Sequence, residues 1–299
     1  MTTTKEEGIW DLDEVYNKIN VGGIWSYDQS LTTWSWGEQD YGELGVNTST
    51  TRYSSPKQVG TDTTWASFGN RAPGSAKSSA LWIKNDGTAW VSGTNAYGIL
   101  GLNQAGNPYA TAPRRSSPTQ LGTDTTWASE QGKATGVAYG AKVAIKTDGT
   151  MWVWGRNYLG SLGLSQGEYH SRSSPTQIPG STWVNVSASC AGSDPEVIAT
   201  KSDGTIWVWG ENQSGSLGQN DNTKYSSPVQ VPSPGPGTTT WQTERGKFCG
   251  GDSNMYAINT DNELWGWGEN ERGALGNNDG GPSAHQSSPV LIPGSWTWI

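Results

Sequence analysis

Apolar residues in this chain fall into short runs of alternating polar and apolar positions, each closed by Gly, Pro, Asn or Asp, the pattern of short strands joined by tight turns. Between residues 127 and 177 it predicts four strands. Trp127-Ala-Ser opens the first, and Val143-Ala-Ile145 lies in the second. Asp148-Gly149 then separates two extended runs as a two-residue hairpin turn would, with positive φ at both central residues. In the third strand Met151 and Val153 share one face and Trp152 and Trp154 the other, until Gly155 halts the run. Ser174-Pro175-Thr-Gln-Ile178 supplies the fourth, where a proline suits an edge or a strand start. The turn recurs as Asp86-Gly87, Asp203-Gly204 and Asp261-Asn262.

The whole unit recurs as well. Trp34-Ser35-Trp36-Gly37, Trp90-Val91-Ser92-Gly93, Trp152-Val153-Trp154-Gly155, Trp207-Val208-Trp209-Gly210 and Trp265-Gly266-Trp267-Gly268 each run on to a Leu-Gly pair and then to Ser-Ser-Pro. The anchor glycines are 56, 62, 55 and 58 residues apart, whereas the step from anchor to Leu-Gly is always eight. The step from the Leu-Gly glycine to the proline of Ser-Ser-Pro ranges from 10 to 17, so the largest insertion falls in the loop before Ser-Ser-Pro. A fixed frame with free loops is how units behave when each buries its apolar face on its neighbours. Four short antiparallel strands per unit, arranged radially, make a β-propeller blade.

The order Asp-Gly-Thr-x-Trp-x-Trp-Gly-x-Asn-x-x-Gly-x-Leu-Gly, complete at residues 148–163 and 203–218, resembles the repeat of the regulator of chromosome condensation family. The resemblance covers roughly residues 24–299 and implies an all-β propeller. Familiar members of that family carry seven blades, whereas this chain has five anchors. Ser295-Trp296-Thr-Trp298-Ile299 matches a first strand such as Ser181-Thr-Trp183-Val-Asn-Val186, while Ile24-Trp25-Ser-Tyr27 and the run from Leu31 to Trp36 match the second and third. The reading is a five-bladed ring closed by pairing of the C-terminal strand with the N-terminal blade. An open arc completed by another subunit is the alternative. Residues 24–299 then form one propeller domain and residues 1–23 a separate segment.

In that segment Asp11 and Glu14 stand as a capping box, Leu12, Val15, Tyr16 and Ile19 follow at helical spacing, and Gly22-Gly23 ends the element. A short amphipathic helix of this length needs a surface to lie on, either its own propeller or a partner. Its candidate docking residues are Trp10, Leu12, Val15, Tyr16 and Ile19. The wording from Gly8 to Lys18, followed by Gly22-Gly23-Ile24-Trp25, resembles a short cassette in structural proteins of tailed bacteriophages.

Composition sharpens this picture. Apolar residues make up only 32% of the chain, but 18 Trp and 41 Gly supply large rings and backbone that can approach them closely. A net charge of −8 with scattered basic residues argues against nucleic-acid partners. No apolar stretch approaches the ~20 residues of a membrane span, and residues 1–7 carry no signal-peptide core. Cys190 and Cys249 occupy corresponding repeat positions and are expected as buried free thiols. His170 and His285 lie in variable loops with no nucleophile motif near them, and Asn220-Asp-Asn222 and Asn277-Asn-Asp-Gly280 lack the ligand spacing of a calcium loop. No metal, cofactor or catalytic residue is assigned.

Most tryptophans recur in phase with the strands and are read as packing between blades. Trp82 is out of phase, and the longest loop, residues 102–117, carries Tyr109, Arg114 and Arg115; these four are the candidate contact residues. The expected function is a non-enzymatic structural or appendage protein of a bacteriophage virion, assembled in the host cytoplasm. Its partners would be other virion proteins and a host-surface glycan or protein. The alternative is a free lectin-like or protein-inhibitor module, since the resembling family includes exchange factors for a small GTPase and a bacterial inhibitor of β-lactamase.

Overall fold

The computed structural model describes residues 32–49, 51–66, 79–104, 113–130, 133–137, 140–189, 195–234, 240–244, 246–251, 253–281 and 283–294. The expected N-terminal helix, the second strand at residues 24–27, Tyr109, Cys190 and the closing strand at residues 295–299 lie outside them.

Seventeen strands are described: β1 (Trp34–Gly37), β2 (Tyr53–Gln58), β3 (Ser79–Ile83), β4 (Ala89–Thr94), β5 (Arg114–Gln120), β6 (Ala134–Val137), β7 (Ala141–Ile145), β8 (Met151–Gly155), β9 (Arg172–Ile178), β10 (Trp183–Ala188), β11 (Glu196–Lys201), β12 (Ile206–Gly210), β13 (Tyr225–Gln230), β14 (Phe248–Gly250), β15 (Asn254–Ile258), β16 (Leu264–Gly268) and β17 (Gln286–Leu291). They pair in sequence order into sheets β1-β2, β3-β4-β5, β6-β7-β8-β9, β10-β11-β12-β13 and β14-β15-β16-β17. All the pairings are antiparallel, so the last three sheets are complete four-stranded blades. Strand β10 touches β6 on one side and β14 on the other, as first strands must where sheets converge on a common axis.

Three local expectations are corrected. In the third unit the first strand is β6, and Trp127 makes only an isolated bridge to Lys146. The hairpin turn takes positive φ at one residue, Gly149 (78°), with the same at Gly87, Gly204 and Asn262. The Lys146 carbonyl accepts from Gly149 N–H and Lys146 N–H donates to Thr150, so the loop has three residues and ends in a left-handed bulge position. Asp148 serves this turn with its side chain: Thr150 N–H and Oγ1 donate to its carboxylate at 2.9 and 2.7 Å. Finally, Cys249 in β14 is a free, exposed thiol, because that edge strand leaves it uncovered.

The core lies between the sheets. Trp154, Trp209 and Trp267, the second tryptophans of their phrases, are fully buried, each in a cluster shared with the preceding sheet. Each fully buried indole removes roughly 150–250 Å² from water, about 4–6 kcal/mol of apolar transfer at ~25 cal/mol per Å². A chain poor in aliphatic residues is held together in this way.

Candidate interaction surface

The invariant phrases meet at the joint between sheets. A Cβ on Gly98 would lie 2.6 Å from the Ser173 Cα of the next sheet, and Gly42, Gly160 and Gly215 approach Ser116, Ser226 and Ser287 in the same way. At the same four joints Asn47, Asn103, Ser165 and Asn220 donate their N–H to the carbonyls of those serines at 2.6–2.7 Å. The glycine of each Leu-Gly pair covers the next sheet's tryptophan: Gly101 on Trp154, Gly163 on Trp209 and Gly218 on Trp267. Inside each loop an asparagine side chain accepts the leucine N–H, as Asn95, Asn157, Asn212 and Asn270 do at 2.8–3.1 Å. Gln39 does the same for Leu44 at 3.2 Å. These residues build scaffold.

Trp82 belongs to that scaffold, which corrects its assignment as a contact residue. It pairs with Trp90 where Ala144, Ala199 and Ala257 pair with Trp152, Trp207 and Trp265, so the residue it replaces is an alanine. The β4 position corresponding to Trp154 is Ser92, and the ring missing there is supplied from β3. Trp82 lies 6.0 Å from Trp65, as Trp154 lies 5.9 Å from Trp127, and it packs beneath Gly45. Ser92 keeps the polar half of the contact. Its hydroxyl donates to the Glu43 carbonyl at 3.1 Å, matching the bond from Trp154 Nε1 to Ile99 at 2.9 Å.

Beside the Asp-Gly turn of three sheets a lysine ammonium lies between two indoles: Lys84 on Trp65 and Trp90, Lys146 on Trp127 and Trp152, and Lys201 on Trp183 and Trp207, at 4.0–5.0 Å from the ring centroids. Lys84 and Lys146 also pair with Asp62 and Asp124. Partial burial pushes these two carboxyls up, but the hydrogen bonds from lysine and threonine outweigh it and hold both at about 2. The arrangement is a structural cation site already filled by the protein's own lysine.

What remains for partners is the edge from which the variable loops emerge. Arg114 places its guanidinium 4.6 Å from the Tyr41 ring and donates to the Asp40 carbonyl at 3.2 Å, while Arg115 reaches Gln104 at 3.4 Å. One joint further on, Arg156 lies 4.6 Å from both Tyr97 and Tyr158, and Tyr158 is 6.2 Å from the exposed Tyr169. Arg114, a predicted contact residue, thus stands with Tyr41, and Arg156 stands with Tyr97 and Tyr158 at the next joint. The sequence signal for these groupings was aromatic and basic residues recurring in the loops after the anchor glycines. Nearby, a shallow cavity of ≈ 300 Å³ is lined in part by Ser165, Glu168, Lys224 and Ser226, with Lys224 paired to Glu168. His170 Nδ1 lies 3.0 Å from the Gly167 carbonyl, and His285 Nδ1 accepts the Asn270 N–H at 3.2 Å. Among the described residues no three His, Cys, Asp or Glu side chains converge as a metal-ligand set.

Comparison with known proteins agrees with this geometry. Residues 148–194, 203–240 and 261–297 match the regulator of chromosome condensation (RCC1) repeat. Human protein RCC2 is 33% identical over 138 residues, which is 46% of this chain and 24% of RCC2. Human E3 ubiquitin-protein ligase HERC2 is 29% identical over 54% of this chain, yet that is 3% of its own length. The ultraviolet-B receptor UVR8 of Arabidopsis thaliana is 26% identical over 46% of this chain and 29% of the receptor. The chain therefore spans less than a third of each of these curated relatives.

Among solved structures, human WBSCR16 superposes with a TM-score of 0.62 at 20% identity, covering 87% of this chain and 62% of that one. Prp20p of Saccharomyces cerevisiae, described with its binding to Gsp1p and histones, gives 0.62 at 18% identity over 90% and 60%. Yeast RCC1 (Prp20) in a structure with Kap60 gives 0.58 at 17% identity over 100% and 64%. At these identities the likeness shows the fold: an all-β, RCC1-like propeller architecture.

Proposed function

We propose that this protein is a non-enzymatic structural or appendage protein of a bacteriophage particle, in which a five-bladed, closed propeller serves as a rigid interaction platform. Residues 1–23 attach it to other virion proteins, and the loop edge with Tyr41, Arg114, Tyr97, Arg156 and Tyr169 faces a second partner. The observation that carries the platform reading is the division of labour between the two parts of each repeat. Tryptophan, glycine and asparagine of the repeated phrases are consumed by the sheets and the joints between them, while at one edge loop length varies and Tyr and Arg side chains, Arg114 and Tyr169 exposed among them, lie against one another. Tyrosine and arginine are the residue types that anchor protein interfaces. The binding described for Prp20p, to Gsp1p and histones, is by a neighbour of the same architecture and supports a protein-binding use of it. The particle assignment rests on the cassette at residues 8–25.

Removing residues 1–23 tests the attachment. The truncated protein should fold, with an unchanged far-UV spectrum, and should be lost from purified particles. Normal incorporation of the truncated protein would defeat the proposal. The second reading, a free lectin-like module, is favoured by the exposed Tyr169 beside the shallow cavity, because aromatic rims stack on sugar rings. Selective binding on a glycan array, lost on Tyr169→Ala, would establish it.

A further inference from the structure

The four joints described above leave two halves of a fifth. On the first sheet Trp36 is 58% exposed, although its counterparts Trp154, Trp209 and Trp267 are fully buried. Ser54 and Ser55 of β2 stand at the positions of Ser287 and Ser288. On the fifth sheet Gly273, Gly276 and Asn278 repeat the loop geometry of Gly215, Gly218 and Asn220, with φ of 70°, 69° and 61° against 75°, 67° and 62°. Yet among the described residues the nearest atoms to a Cβ on Gly273 or Gly276 belong to Asp279 and Ile292 of the same sheet. Trp34, Trp36 and Leu291, three of the four exposed large hydrophobic residues among those described, lie on the first and last sheets. Each end presents what the other lacks.

We infer that the first and fifth sheets of one chain form a fifth joint of the same construction, with Trp36 seated beneath Gly276 and Gly273 against Ser54. In that joint Asn278 N–H donates to the Ser54 carbonyl, and the Trp36 Nε1–H points to the Ala274 carbonyl. The Ala274 carbonyl already accepts the Tyr256 hydroxyl, and its second lone pair leaves room for the indole. The occupant is the chain's own fifth sheet because tethering through the three sheets between them raises its local concentration far above that of a free second copy. The inference rests on the ring reading and specifies which residues make its seam.

The test is a disulfide across the seam, in the full chain with Cys190→Ser and Cys249→Ser. At the existing joints Ser117, Ser174 and Ser288 place their hydroxyls 3.0–3.4 Å from Asn47, Asn103 and Asn220 Oδ1, so these positions face each other closely. Asn220→Cys with Ser288→Cys is the positive control. Ser165 occupies the same left-handed position at φ 56°, so a small side chain is tolerated there. The seam pair is Asn278→Cys with Ser55→Cys. On oxidation it should give a faster-migrating monomer on a non-reducing gel in the yield of the control, and Trp36→Ala should cut that yield at least fivefold. A crosslink between chains would overturn both the seam and the closed ring. No crosslink, with a closed ring by small-angle scattering, would overturn the seam alone.

Discussion

At the residue scale two of this protein's departures from its own repeat are exchanges in which a second residue compensates. Trp82 and Ser92 swap the strand from which the inter-sheet ring comes. Tyr256 stands where other sheets have Leu81, Val143 or Ile198, and it pairs with Gly266, where they have valine; a Cβ on Gly266 would lie 3.1 Å from the Tyr256 ring. Trp82→Ala should therefore cost about 3–5 kcal/mol. Adding Ser92→Trp to Trp82→Ala should recover at least ~1 kcal/mol, read as coupling in a double-mutant cycle by urea unfolding. Strictly additive effects would show that the two sites do not share one space.

Charge at this scale gives a second expectation. Asp62 and Asp124, held at about 2 against an ordinary 3.8, are depressed carboxyls. Their contribution is fully present above the unfolded value and is lost as pH falls from about 4 through 2. Both are about a third exposed, so solvent screens the pairs and the effect is small. Asp62→Asn with Asp124→Asn should flatten the stability–pH curve between pH 4 and 2 and leave its shape between pH 5 and 7 unchanged. A curve of unaltered slope below pH 4 would show that these pairs do not govern it.

At the element scale the third strand and its turn form one device. Asp accepts from Thr, and Thr accepts from the first tryptophan of the phrase: Trp90 Nε1 donates to Thr88, Trp152 to Thr150 and Trp207 to Thr205, at 2.8–2.9 Å. The fifth sheet has Glu263 at the threonine position, and the Trp265 indole N–H is buried without an acceptor. Glu263→Thr should raise stability by about 0.5–1 kcal/mol by supplying one, less what Asn259 loses as the Glu263 partner. An unchanged or lowered unfolding midpoint would count against that reading.

Glycine acts differently in two elements. Gly98→Ala meets both a left-handed φ and the Ser173 backbone, and should cost about 2–4 kcal/mol. Gly122→Ala has the same backbone sign with nothing within 4 Å, and should cost only the ~1–2 kcal/mol of the conformation itself. Thermal midpoints of the two variants would rank them.

At the scale of the whole molecule, five strand groups and the loop with the largest insertion were legible in the sequence because the repeat fixes spacing from anchor glycine to Leu-Gly. The predicted strands β7, β8 and β9 were placed correctly, since alternation and turn residues are local signals. The start of the first strand was not, because Trp127 has the look of a strand residue while its ring is held by Trp152 and Trp154 of β8. The two-residue turn was read from Asp-Gly alone, whereas the bulge depends on which backbone groups pair across the hairpin.

Arg114 and Arg115 were visible as a loop pair. The aromatic partners of Arg114 and Arg156, namely Tyr41, Tyr97 and Tyr158, come from three different units and could be assembled only once the sheets were stacked. By itself the sequence determined the repeating unit, its strand order and the side on which loops vary, because these are set by residues near one another in the chain. The tertiary structure decided that Trp82 is core, that the Leu-Gly glycines cover the next sheet's indoles, and which Tyr and Arg stand together. Each of those depends on contacts between residues about 37–73 positions apart, whose geometry is fixed by how one sheet packs on the next.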